Sequence, residues 1–586
     1  MVIQKILFSQ EDKLEWKLFF RGVPQGRIGE KNGETFIKVS KGERLSTNTY
    51  FNSFSLDKWK KYTSIKDLTL NLRLQGDAEV RVLGVRKIFD KLQMEEVFRI
   101  NETFQKEWLQ IDITLKEEYI NVYFEISAID EVMFVGGYFS TSAEVKKDIK
   151  IGVDICTFNR YDYLEKNIAK LKSAMNEKDS LLHNKMEIFI VDNGNDNKTR
   201  QLVSENVHVF LQDAKGSAGG FTRGMLEITD RQAFTHCIVM DDDVYLYPEV
   251  LERLYCFLSF LKEDYDDALI GGALMRMDIP YIQHESGALW NAGNIVSCKA
   301  SFDMRDFSNV VKNEIEEKTE YMGWWFCCIS LVAIEKRGYP LPIYFHRDDV
   351  EFGLRNPKQI TLNGICTWHE PFESKVAVVN EYYDMRNLGI LLALYESKKQ
   401  RTLYMKFVMK RVLVSLFRYR YDTAELILAG VEDFLQGPDW VTNKDSGVYY
   451  EELKGQALLK GNAESVEKHF EYDFRMANAC EGKIQKCLRY IMLNGYFLKA
   501  KKTVIVPAYE PDTSFFWRAK KVCFYNEYTG ECHVGQKSVA NFLKVMKKLT
   551  SDLSKIYFGY TGVSKSWKER EKEHISGIYW RKKLEL

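Results

Sequence analysis

Proline, net charge and long apolar runs are all scarce in this sequence, and each shortage removes a class of protein. Only 10 prolines occur in 586 residues and no Ser/Pro/Gly-rich tract interrupts them, which excludes long disordered linkers. Lys plus Arg and Asp plus Glu number 83 each, so no global field gathers nucleic acid or an anionic membrane; such attraction must come from local patches. Nowhere do about 18 apolar residues run uninterrupted, and the opening MVIQKILFSQ lacks the apolar core of a signal peptide, so a cytoplasmic location is expected. The 11 cysteines are odd in number and follow no framework spacing. Cys327 and Cys328 are adjacent and no CxxC pair occurs, a pattern that predicts reduced thiols and no zinc site.

What remains is a long chain of ordinary apolar content, 45%, which exceeds what one core supports. Three regions are expected, over residues 1–147, 148–398 and 399–586. In the first, Leu68, Leu70, Leu72 and Leu74 alternate with polar neighbours up to Gly76-Asp77, and Val80 and Val82 follow, which reads as a hairpin turning at the glycine. A second alternation, Ile120, Val122, Phe124 and Ile126, with no helix between, predicts a β-sandwich. In the second region, strands around Ile151–Ile155, Ile188–Val191, Val207–Leu211 and Ile238–Met240 alternate with helices, the pattern of a parallel, Rossmann-like sheet. Ligands of such sheets sit at the carboxyl ends of the strands, and the polar clusters fall there. The third region is mainly helical, with a hairpin at Val522–Tyr525 and Thr529-Gly530. Its first stretch, Leu403 to Arg420, mixes apolar residues with Lys406, Lys410, Arg411, Arg418 and Arg420, and reads either as a membrane-facing helix or as a buried interdomain one.

The strongest chemical signal is Asp241-Asp242-Asp243 directly after a buried strand. Three acids there need positive compensation, and Asp241 and Asp243, facing the same way, could share a hard cation that also neutralises a nucleotide diphosphate. A solvated loop or an N-cap before Pro248-Glu249 is the plainer reading. Asp192-Asn193-Gly194 ends a neighbouring strand, and Gly216-Ser217-Ala218-Gly219-Gly220 precedes a helix whose N-terminus could meet phosphate. Downstream, Asp348-Asp349 offers a general base for a sugar hydroxyl, or merely an acid-rich helix start. Trp324-Trp325 suits a sugar ring or a core, and His369 a metal or a structural role.

Read together, these motifs stand in the order of family 2, GT-A-type inverting glycosyltransferases: Thr157-Phe158-Asn159-Arg160, Asp192-Asn193-Gly194, Ala218 to Gly224, Asp241 to Asp243, Asp348-Asp349 and Trp368-His369. Within that group the chain resembles the polymerising bacterial galactofuranosyltransferases of cell-wall galactan. Gly323-Trp324-Trp325, Pro340-Leu341-Pro342, Asp348 to Arg355 and Met385-Arg386-Asn387 carry the resemblance, as do Tyr50 to Phe54 with Trp59, Gly136 to Ser142 and Asp433 to Pro438 outside the catalytic region. The resemblance implies an N-terminal β-sandwich, a central GT-A glycosyltransferase domain and a C-terminal mainly helical domain. It implies UDP-galactofuranose as donor, Mn²⁺ or Mg²⁺ as cofactor, a glycan or glycolipid acceptor and a homo-oligomer. The balanced charge predicts no nucleic acid partner, and the basic stretch Leu403 to Arg420 leaves peripheral contact with the inner membrane open.

By position, Asp241, Asp243 and His369 would hold the metal. Asp349 would be the base, with Asp348 beside it. Thr157, Asn159, Arg160, Asp192, Asn193, Gly219, Arg223 and Asp242 would bind the donor, and Trp324, Trp325 and Glu351 the acceptor. Arg347 in place of an aromatic residue, Lys215-Gly216 in place of an Asn-containing turn, and Ala288 in place of an acid depart from the pattern and bear on acceptor choice. Two other outcomes stay open on the residues alone: the same chemistry with another nucleotide sugar, and a catalytically inert carbohydrate-binding protein. Metal-dependent phosphohydrolysis is a third.

Overall fold

The computed structural model describes residues 1–586 apart from 10, 12, 32, 90, 178, 179, 375, 376, 397, 458–480 and 501. The N-terminal strands form one eight-stranded antiparallel sheet, in which Thr69–Ile88 and Lys91–Asp112 make a long ribbon. The expected turn at Gly76-Asp77 is absent. The strand runs on through it, and Gly76 takes φ +119°, where a Cβ would collide with the Glu131 carbonyl oxygen. At this glycine the strand changes partner, from Val132–Ser140 to Asn121–Ala128. A kinked strand and a turn leave the same mark, a Gly-Asp inside an alternating run, and here the strand runs on, with its register shift just before the glycine at Arg73–Gln75. Leu70, Leu72, Leu74, Val80 and Val82 line the resulting core, as do Val122, Phe124 and Ile126 from the partner strand. One short helix, Leu56–Tyr62, does interrupt the strands and buries Trp59 edge-on against Phe257 of the central region, ring centroids 5.2 Å apart.

In the central region, strands Val207–Leu211, Met186–Asp192, Ile151–Thr157 and His236–Asp241 lie side by side and parallel, in that order. Their carboxyl ends therefore share one edge. Helices Tyr161–Asn176 and Gly216–Asp230 are the connections, and the glycines Gly219 and Gly220 lie in the first turn of the second helix rather than in a loop before it. Antiparallel Cys327–Ser330 extends the sheet to Leu269–Arg276, which pairs in parallel with Gln359–His369. A two-residue strand, Tyr245–Leu246, pairs with the last of these through Tyr245↔Trp368 and so carries His369 toward the acidic triplet.

Helices Asn380–Tyr395, Gln400–Phe417, Tyr421–Gln436 and the 36-residue Val539–His574 pack together in the C-terminal region. The expected hairpin is present, Ala519–Tyr525 with Cys532–Gln536, and Lys502–Pro507 joins it in parallel. The expectation of reduced thiols throughout is corrected there. Cys523 and Cys532 are joined, Cα atoms 6.1 Å apart, because the hairpin register brings the two close, a proximity their spacing alone does not announce. Gln400–Phe417 buries Tyr404, Val408, Val412, Ser415, Leu416 and Phe417, while Arg411 is bound to Asp384 and, at 3.1 Å, to Glu381. Lys406, Met409 and Lys410 stay exposed. No helix among the described residues is long and apolar enough to cross a membrane. The last helix, Gly577–Leu584, returns to the central region, where Trp580 Nε1 donates to the Pro340 carbonyl at 2.8 Å and the ring joins the core beside Phe221.

A buried polar latch ties the first region to the second. Glu314, 0% exposed, accepts from Ser55 Oγ and from the Asn363 amide at 2.9 Å, and faces the Lys58 ammonium at 3.4 Å. Lys58 itself donates to the Thr361 carbonyl. Removing one member leaves the other charge buried without its counter-ion, so Glu314→Ala should cost about 3–5 kcal/mol of stability. Urea unfolding should show this, with Lys58→Met combined with Glu314→Leu recovering much of it; a Glu314→Ala variant as stable as the parent would remove the latch from the account.

Candidate active site

At the carboxyl edge of the parallel strands lies a cleft of about 280 Å³. Thr157, Phe158 and Arg160 enter it from the strand Ile151–Thr157, Asn193 from Met186–Asp192, and Asp241 and Asp242 from His236–Asp241. Ser217 and Phe221 come from the Gly-rich helix, Tyr344 and Phe345 from the loop before Asp348, and Gly447 and Tyr450 from the C-terminal region. Close packing beneath depends on Gly220, where a Cβ would press on Cys156 Sγ and lie 2.9 Å from Asn193 Nδ2. Asn193 is held by both ends: Nδ2 donates to the Gly216 carbonyl at 2.9 Å and Oδ1 accepts from Gln212 Nε2 at 2.6 Å.

The acidic triplet divides its labour by partner. Asp242 accepts from Thr157 Oγ1 at 2.7 Å and has its carbonyl held by Asn167 Nδ2 at 2.9 Å, while the equally covered Asp243 carboxyl meets Arg160. His369 Nε2 lies 3.4 Å from Asp243 Oδ1. His369 Nδ1 contacts the Glu370 carbonyl, which can only accept, and this orients the ring with Nε2 toward Asp243. A carboxylate and an imidazole so placed are residue types that a divalent cation takes as ligands. Among the described residues no group of three or more His, Cys, Asp or Glu side chains gathers as a metal site. Arg160 brings positive charge, its guanidinium lying on Asp243 and 3.6 Å from Asp242. Burial, then Asp154, Asp242, Asp241 and Asp348, pushes the Cys156 thiol well above its ordinary range, a sign of how much negative charge the cleft floor carries.

The second acid pair opens the helix Asp348–Arg355. Asp348 is buried and accepts from Ser217 Oγ at 2.6 Å, which fixes the pair to the wall of the same cleft. Asp349 Oδ1 accepts from the Val350 amide at 2.7 Å and is more accessible. Burial first, then its neighbour's charge, raises the Asp349 carboxyl above the ordinary range; Asp348 is raised as well, by burial. The loop before them is tightly specified: Tyr344, His346 and Arg347 all have positive φ, 68°, 64° and 65°. Asn387 Nδ2 donates to the Phe345 and His346 carbonyls at 2.8 and 2.7 Å, and Arg347 Nε pairs with Asp384 at 2.6 Å.

Several expected contacts are placed elsewhere. Trp324 is 5% exposed and packs edge-on between Phe221 and Phe352, so its ring is core; Trp325 is half-buried and donates to the Gly272 carbonyl at 2.9 Å. Glu351 is 0% exposed and braces Arg355 at 2.6 Å, the Leu341 amide at 3.0 Å and Tyr395 at 2.6 Å, which leaves nothing for an acceptor. Asp192 is likewise consumed, by Gly194 N, Asp196 N and Thr199 Oγ1 at 2.8, 3.1 and 2.9 Å, and shapes the turn instead of facing the cleft. Arg223 pairs with Glu227 at 2.8 Å and lies over Phe210, while Gly219 packs against Lys215. Asn159, with φ +57°, turns the chain between Thr157 and Arg160.

Sequence reasoning missed Ser217, Tyr344, Phe345, Gly447 and Tyr450 as walls. It also missed Glu285, a buried acid pushed up to about 7 by burial, which itself acts on Asp349.

The raised Asp349 carboxyl has a stability consequence with a definite sign. Its folded value lies above the unfolded one, so the folded state binds the proton more tightly and stability is lost as pH rises through the raised value. Asp349→Asn should therefore raise Tm above that pH, and the gain should shrink in acid, below the unfolded carboxyl range; melting curves across pH check it.

Against this geometry, residues 153–287 match glycosyl transferase family 2, and residues 16–141 match the galactofuranosyltransferase 2 N-terminal family. The galactofuranosyltransferase GlfT2 of Mycobacterium tuberculosis (strain ATCC 25618 / H37Rv) is 24% identical over 443 residues, 70% of this chain and 67% of that protein. The protein of the same name from Mycolicibacterium smegmatis (strain ATCC 700084 / mc(2)155) is 24% identical over 437 residues, 69% of this chain and 66% of that protein. The first match covers the strand edge with its acidic triplet and the second covers most of the antiparallel sheet before it, so the chain carries a glycosyl transferase family 2 region and is similar to the galactofuranosyltransferases over most of its length.

Proposed function

We propose that this chain transfers galactofuranose from UDP-galactofuranose to a hydroxyl of a lipid-linked glycan acceptor in cell-surface polysaccharide synthesis, with inversion at the anomeric carbon. The observation that carries the reading is that Asp241 and Asp242 line the cleft while Asp348, of the second acid cluster, is hydrogen-bonded to Ser217 in its wall. The relatives' printed activity supports the sugar. Asp243 and His369 would hold Mn²⁺ or Mg²⁺ with Asp241 nearby, and the cation supplies charge neutralisation for a departing diphosphate. Arg160 leaves Asp243 for the phosphates when the donor enters. Asp349, the more accessible acid of the pair, takes the proton from the acceptor hydroxyl, and Asp348, locked by Ser217, keeps the pair in place. A seat at the inner membrane face, with Lys406 and Lys410 toward anionic headgroups, belongs to the same proposal and rests on their exposure beside Met409.

A panel of UDP-sugars with synthetic lipid-linked galactosides, read by mass spectrometry, tests donor, acceptor and linkage together. Transfer from UDP-galactofuranose is expected; transfer from another sugar nucleotide alone reassigns the donor, and no transfer from any of them defeats the proposal. Asp349→Asn should lower kcat by roughly 10²-fold or more with UDP affinity intact, whereas Asp243→Ala should lose metal-dependent UDP binding. A dead Asp348→Asn beside an active Asp349→Asn would reverse the base. Because a base must be ionised, the acid limb of kcat should lie above the ordinary carboxyl range. Glu285→Gln, which removes a charge that raises Asp349, should move that limb to lower pH.

A further inference from the structure

The donor cleft is not built by the family 2 region alone. Gly447 and Tyr450 line it from the helix Gly447–Ala457, more than 150 residues beyond the family 2 match. This helix comes close to the loop after Val207–Leu211: a Cβ at Gly447 would lie 2.7 Å from the Ala214 Cβ, so a larger residue must push the two apart. The start of the helix is fixed in turn. Tyr449 donates to Asp433 Oδ2 at 3.0 Å, and the Asp445 carboxylate pairs with buried Arg386 at 2.6 Å. Tyr450 then stacks with Tyr383, ring centroids 6.3 Å apart and planes at 30°, and lies 6.3 Å from Tyr344, whose ring lines the cleft. Burial chiefly raises the Tyr450 hydroxyl.

The position along the cleft decides what this wall meets. Strand order turns at Ile151–Thr157, with Met186–Asp192 on one side and His236–Asp241 on the other, and ligands of such sheets straddle that point. Asp241 to Asp243 and His369 mark the phosphate end. The Ala214–Gly447 contact lies toward the other end, past Met186–Asp192 and Val207–Leu211. What a nucleotide presents at the end away from its phosphates is a flat aromatic base, and an aromatic ring is its natural partner.

We propose that Tyr450 is a donor-binding residue that closes the cleft over the nucleoside of a nucleotide sugar, so that the C-terminal region completes the donor site. The inference rests on the reading of the chain as a nucleotide-sugar transferase. UMP and UDP with Mn²⁺, titrated calorimetrically into the full chain, test it. Tyr450→Ala should weaken both ligands by the same factor, roughly 10-fold, while kcat at saturating donor holds and Tyr450→Phe restores affinity. Gly447→Val should weaken both while Tyr450 is kept, which preserves the test if Tyr450→Ala does not fold. UMP binding unchanged in Tyr450→Ala, or UDP weakened with UMP untouched, overturns the assignment to the nucleoside. Failure of the parent chain to bind either ligand overturns the underlying reading instead, and the two failures are separate measurements.

Discussion

Negative charge gathered at the carboxyl edge of a parallel sheet is the constraint around which this molecule is arranged. Asp241 and Asp242 line one cleft with Asp243 next in the chain, Asp348 is tied to the cleft wall through Ser217 with Asp349 beside it, and Glu285 acts on Asp349. Partly buried carboxylates repel each other and lose hydration, so each must be held in place or neutralised. Thr157, Asn167, Ser217 and the Val350 amide do the holding, and Arg160 supplies the cation. The strained loop Tyr344 to Arg347 and its Asn387 clamp exist to deliver the second acid pair to that edge. A site this costly to assemble is the ordinary trade between stability and chemistry.

What could be read in advance follows from how local each signal is. Four parallel strands were legible because buried β-branched runs ended in polar clusters, and the fold places their carboxyl ends on one edge. The triplet and the acid pair were legible as clusters for the same reason. His369 stood open between a metal and a structural role on the residues alone, since it reaches Asp243 by the pairing Tyr245↔Trp368, across more than 120 residues. The burial of Trp324 and Glu351 was not legible, because a residue type inside a motif says nothing of burial: both sit within matching segments and both face inward. Gly76 misled because a kinked strand and a turn share one signature. Nothing in Gly447-Val448-Tyr449-Tyr450 advertised a cleft wall, and only tertiary packing put it there.

The boundaries of the three regions are crossed by polar and aromatic contacts rather than by loose linkers. Glu314 with Lys58 and Ser55, Trp59 against Phe257, and Arg386 with Asp445 are all buried pairs between residues far apart in sequence. Such contacts tolerate little misalignment, because a small displacement exposes a charge to a low-dielectric interior. They transmit position accurately, which suits a cleft assembled from several regions.

The return of Gly577–Leu584 to the central region gives the order of synthesis a role in maturation. Trp580 covers the core around Phe221, yet it leaves the ribosome more than 350 residues later. Until then the back of the Gly-rich helix, the element that holds Ser217 beside Asp348, has an unfilled apolar surface. Until that helix docks, nascent chains carry the surface uncovered, the kind of transient apolar exposure that other partners could occupy.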